Sequence, residues 1–136
     1  MDTASLQTYA AGKGYGVLSA INPGEGYWVN VKAQPAPSTQ SGASFNLTAA
    51  NLANGWNLVA TGNDVSPSTF NQTLGATPLT TLWAWDNPLS KWYFYAPLLE
   101  EQGVTALSGY IASKGYLDFS SNNKTLGNGT GFWVNR

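Results

Sequence analysis

Seven residues, GEGYWVN (24–30), return as GTGFWVN (129–135) in a chain of 136 residues. Self-similarity of this kind marks a repeat architecture and takes precedence over local patterns when a fold is inferred. The match extends upstream. When 9–30 is set against 110–135, Tyr9 meets Tyr110, Ala11 meets Ala112, and Lys13-Gly14-Tyr15 meets Lys114-Gly115-Tyr116. Gly24, Gly26, Trp28, Val29 and Asn30 then meet Gly129, Gly131, Trp133, Val134 and Asn135, with four extra residues in the second copy inside DFSSNNKTL. Residues 1–32 therefore read as the C-terminal half of a repeat unit, 33–44 (AQPAPSTQSGAS) as a Pro/Ser-rich linker, and 45–136 as a complete unit, the whole forming one compact structure.

Local signals fill in the unit. Short helices are expected near 4–11, 67–74 and 105–113. Thr3 and Thr105 are candidate N-caps, because a hydroxyl can accept from an orphan amide. Gly12 and Gly115 stand where a left-handed residue would end a helix. Ser66 followed by Pro67 is a helix-start signal. WNLVA (56–60) reads as a strand behind an Asn-Gly turn. TTLWAWD (80–86) and KWYFYAP (91–97) read as a hairpin around Asn87-Pro88. A four-residue loop, 87–90, puts Asp86 opposite Lys91, Trp85 opposite Trp92 and Trp83 opposite Phe94. Trp83, Trp85, Trp92 and Phe94 then share one face, and Ala84, Tyr93 and Tyr95 the other. GKGYG (12–16) is not a phosphate loop, since it follows a helix rather than opening one after a strand. The expected fold is α+β, predominantly antiparallel β, as a small sandwich or open barrel with two or three short helices.

GWNLVATG (55–62), TTLWAWD, KWYFYAP, YIASKGY (110–116) and GTGFWVN together resemble repeat domains of bacterial exported and cell-surface proteins. The resemblance covers the unit 45–136 and the half unit 1–32. It implies β-rich extracellular or cell-surface modules, often in tandem, without an established enzymatic activity and without catalytic residues to carry over.

The composition narrows the function. Charged residues make up 10% of the chain and the net charge is −1, so no basic footprint for nucleic acid exists. Apolar runs are far shorter than a membrane span. The chain has no cysteine and no histidine, which removes thiolate chemistry and the usual general base and metal ligand. Of the acids, Asp64 and Asp118 are the one pair a glycosidase reading could use, and the sequence alone does not bring them together; turn or capping roles are expected for both. The chain is read as no enzyme, with no cofactor and no metal site. The resemblance implies an extracellular or cell-surface location; MDTASLQTY has neither a basic nor an apolar signal region, so a cytoplasmic location stands as the alternative.

Two function classes remain. A structural or interaction module explains the repeat; its partners would be a second copy or neighbouring repeat units. The alternative is a carbohydrate-binding module, with Trp83, Trp85, Trp92, Trp133 and Asn135 as the binding residues, because flat rings beside amides suit a glycan. For any single tryptophan the core reading stands ahead of the ligand reading, and Trp56 is assigned to structure. The strand around Trp28 is expected to pair with the sheet of the complete unit, within the chain or from another chain. Trp28 should then be largely buried, in surroundings like those of Trp133.

Overall fold

The protein is described here by a computed structural model covering residues 2–29 and 45–136; the linker 33–44 lies outside the described residues. The elements run α1 (Thr3–Gly12), a 3₁₀ turn (Ala49–Asn51), β1 (Trp56–Ala60), α2 (Pro67–Thr73), β2 (Thr81–Asp86), β3 (Lys91–Tyr95), α3 (Pro97–Glu101), α4 (Val104–Lys114), β4 (Leu117–Asp118) and β5 (Gly131–Asn135). The strands form one sheet in the order β1-β5-β2-β3-β4. All pairings are antiparallel except β3 with β4. The fold is the expected α+β, but the sheet is single and open rather than a sandwich or barrel. One more helix is present than expected, α3, and the helices hold more residues than the strands. No helix of the described residues is long and apolar enough to cross a membrane.

The hairpin has the expected register, with Asp86 opposite Lys91, Trp85 opposite Trp92 and Trp83 opposite Phe94. Its turn is closed by Ser90 N donating to Asn87 O at 3.3 Å. Asp86 serves the turn as well as the ladder: its Oδ1 accepts from Leu89 N at 2.9 Å. Ahead of β1, Gly55 takes a positive φ of 87°. The Asn57 side chain ties that turn down, accepting from Ala53 N at 2.9 Å and donating to the carbonyls of Ala53 and Gly55.

Alternation along the strands then sorts the side chains. Val59, Leu82, Ala84, Tyr93, Tyr95, Phe132 and Val134 point to one face and meet Phe70 and Leu74 of α2 in the main core. Phe132 and Val134 of β5, the strand between β1 and β2, are fully enclosed, and each such side chain contributes about 1.5–3 kcal/mol by leaving water. On the opposite face a smaller cluster joins Phe94, Ala96 and Ile111, with Trp83, Leu107 and Tyr116 packed against it. Arg136 locks the far end of β5, its backbone paired with Gly55 and its guanidinium donating to the Ala49 and Leu52 carbonyls.

The helix ends match the sequence signals in part. Ser66 caps α2, accepting from Thr69 N at 3.1 Å, with Pro67 in the first turn. Asp2, not Thr3, caps α1 through Ser5 N at 2.8 Å, and this bond holds the Asp2 carboxyl below its usual pKa. Thr105 lies inside α4, whose cap position is Gly103. Gly115 ends α4 in the left-handed region at φ 71°. In the first copy that role belongs to Gly14, at φ 73°, while Gly12 is still helical.

The first copy does join the sheet, though briefly. Gly24 O accepts from Ala60 N at 2.9 Å and Gly26 N donates to Leu58 O at 3.1 Å, along the edge of β1 opposite β5. Glu25 forms a bridge with Val59. The ladder stops there, and Tyr27, Trp28 and Val29 are all exposed. The expectation that Trp28 is buried in surroundings like those of Trp133 is therefore corrected. The position a YWVN strand needs, between β1 and β2, is already filled by β5.

Candidate functional site

The open face of the sheet carries the tryptophans. Trp56 lies opposite Asn135 and Leu58 opposite Trp133; Trp133 also lies opposite Trp83, and Asn135 opposite Thr81. Cross-strand partners share a face, so Trp56, Trp83, Trp85, Trp92, Trp133 and Asn135 all belong to the side away from the main core. The end of α4 covers part of that side, with the Tyr116 ring 5.0 Å from Trp83 and the Tyr110 ring 5.2 Å from Phe94.

What is left open is a groove of about 310 Å³ walled by Trp56, Trp83, Trp92, Tyr116 and Trp133. The rings brace one another edge to face: Trp56 with Trp133 at 6.4 Å, Trp83 with Trp92 at 6.4 Å, and Trp85 with Trp92 at 5.0 Å. A smaller hollow of about 140 Å³ adjoins it, walled in part by Trp85, Trp92 and Trp133. The first copy reaches into this hollow, where Trp28 meets Trp92 at 6.3 Å. Gly26 is what lets the chain pass so close to β1, since a Cβ there would stand 2.9 Å from the Val59 carbonyl and the Leu58 side chain.

Four of the five expected binding residues thus stand at a cavity: Trp83, Trp92 and Trp133 at the groove, and Trp85 at the hollow. Asn135 shares the face without forming part of either wall. Trp56, assigned to structure from its motif, is more than half exposed and forms one wall of the groove. Tyr116 was not foreseen; the Lys-Gly-Tyr turn places it, because Gly115 reverses the chain and aims the next residue at Trp83.

The chemistry of the groove is simple. The polar groups of its lining side chains are four indole N–H donors and one phenol, and an indole cannot accept a hydrogen bond. Among the described residues, the Trp83 Nε1 is buried with no hydrogen-bond partner. The side chains of the walls therefore offer apolar ring surface and hardly any acceptors.

The carboxylates lie elsewhere. Asp118 accepts from Ser120 N at 2.7 Å and Ser121 N at 3.3 Å, the turn role expected of it. It shares the wall of a cavity of about 330 Å³ with Glu100. Glu100 accepts from Tyr95 Oη at 2.7 Å and Ser68 Oγ at 2.9 Å. Burial, with the Glu100 bond second, pushes the Tyr95 phenol far above its usual pKa. Asp64 is close to Gly127 instead. No three His, Cys, Asp or Glu side chains come together among the described residues.

In comparisons with protein-family models, curated proteins and solved structures, this chain matches none.

Proposed function

We propose that the chain is a non-catalytic structural or interaction module, of the kind found in extracellular or cell-surface bacterial proteins, and that its tryptophan groove receives an apolar side chain of a protein partner. The observation that carries this reading is the composition of the groove walls: five aromatic rings around about 310 Å³, with donors but almost no acceptors. Burying an apolar group there removes ring surface from water. A sugar presents several hydroxyls, each needing donors and acceptors, and the groove has few acceptors to give.

A carbohydrate-binding module is the second reading. It is favoured by Asn135, whose amide lies on the same sheet face as Trp56 and Trp133. Tryptophan fluorescence during titration separates the two. One series would use soluble oligosaccharides, the other short peptides with a central Leu, Phe or Trp. The interaction reading expects saturable quenching by the apolar peptides, weakened at least tenfold in Trp92→Ala. Saturable quenching by an oligosaccharide, lost in Trp92→Ala, with silent peptides, would reverse the order.

A further inference from the structure

We infer that residues 2–29 are a docking surface for one occupant: a polypeptide carrying the strand–helix–hairpin half of this same repeat, of the pattern seen in residues 45–101. This rests on the interaction reading and names the partner it requires. The two copies share their turns, though only the second has its strands. Tyr15 N bonds to Ala10 O as Tyr116 N bonds to Ile111 O, and Glu25 N bonds to Asn22 O as Thr130 N bonds to Gly127 O. Gly24 and Gly129 both take left-handed φ values, 85° and 79°. The turn that leaves the helix and the Gly turn of the half unit are therefore already formed as in the complete unit.

Burial separates the copies. Extending the alignment pairs Leu18 with Phe119, Ile21 with Leu126, Tyr27 with Phe132 and Val29 with Val134. In the half unit these four are 68%, 50%, 50% and 65% exposed; their counterparts are 5%, 0%, 0% and 0% exposed. What covers the counterparts is known from the same chain. Phe132 and Val134 lie between β1 and β2, with Phe70 of α2 5.3 Å from the Phe132 ring. The exposed row on the half unit is thus shaped for a β1–α2–hairpin surface.

Residues 1–136 hold one front half, 45–101, and two back halves, 2–29 and 104–136, and β5 of the second back half already fills the place between β1 and β2. The occupant is therefore a further front half, outside residues 1–136.

The test fuses a second copy of residues 45–101 ahead of residue 1 of the full chain, the junction that the alignment of Thr3 with Val104 dictates. Amide hydrogen exchange is the readout. Tyr27, Trp28 and Val29 should change from fast exchange to the protection of Phe132–Val134, and binding of a hydrophobic dye should fall below that of the parent chain. Tyr27→Asp with Val29→Asp in the fusion should reverse both effects. Fast exchange at 27–29 in a fusion whose own β5 remains protected would overturn the proposal. The peptide titration above would stand apart, since it reads the groove of the intact unit. A second measurement serves if the fusion does not fold. Phe132→Asp with Val134→Asp in the full chain empties the place between β1 and β2, and residues 27–29 should become protected there as 131–135 lose protection. Fast exchange in both segments would overturn the proposal by itself.

Discussion

Tyr27 and Phe132 occupy one motif position in two copies, so truncating each to Ala asks what burial alone is worth. Phe132 is fully enclosed and packs edge to face on Phe70. Removing such a ring takes away its transfer energy and leaves a cavity, together about 3–5 kcal/mol. Tyr27 is half exposed and continues no ladder, so its truncation belongs with near-surface changes of about 0.5–1 kcal/mol. The difference, about 3 kcal/mol, is roughly a 150-fold change in the folding equilibrium. In urea, with a slope near 2 kcal/mol per molar, Phe132→Ala should move the midpoint down by about 2 M and Tyr27→Ala by less than about 0.5 M. Melting temperatures should separate by about 10 °C for a domain of this size. Equal losses from the two variants would refute the reasoning, because they would mean that the half unit is packed as tightly as the complete one.

Ser66→Ala removes the acceptor that caps α2, and should lower unfolding free energy by about 1 kcal/mol in the same urea assay. Gly115→Ala meets no neighbouring atom, so only the left-handed φ of 71° opposes it; a loss of about 1–2 kcal/mol is expected. The Tyr95 phenol has a raised pKa from burial and from Glu100, with Glu101 also near, and Tyr93 is raised by burial beside Asp86. The folded state therefore keeps protons that the unfolded state releases above about pH 10, so the stabilisation is whole below that pH and is lost as pH rises further. Tyr95→Phe should make the alkaline fall in melting temperature shallower, while Tyr93 keeps it from vanishing.

The hairpin was legible because three signals agree in it. Alternation sets the faces, Asn87-Pro88 sets the turn, and a one-residue slip would have sent Tyr93 and Tyr95 to the wrong side. Even so, the expected pairing of Asp86 with Lys91 captured only part of the Asp86 role, since its carboxylate also holds the turn amide of Leu89. Strand order was not legible. That β5 enters between β1 and β2 depends on long-range packing, and this is why Trp28 was misplaced. β4 is two residues long and pairs in parallel, too short to leave a periodic signal. α3 begins at the Pro of Tyr-Ala-Pro, a start signal present in the sequence but attached to a helix of only five residues. For the candidate site, alternation told which tryptophans share a face but not which face meets water. Trp56 shows the limit: GWNLV is structural through Gly55 and Asn57, while its tryptophan points to the groove.

The place of β5 between β1 and β2 also bears on how the chain folds. Ala60 must wait for Gly131, and Thr81 for Asn135, so the middle of the sheet closes only by joining distant parts of the chain. Such closures lose loop entropy before they gain contacts, and they slow folding. Meanwhile β1 and the β2–β3 hairpin have bare edges facing an empty place. GEGYWVN, closer than GTGFWVN to β1 in sequence, carries nearly the same residue pattern. The repeat thus predicts a decoy: the nearer copy should compete with β5 for that place during refolding.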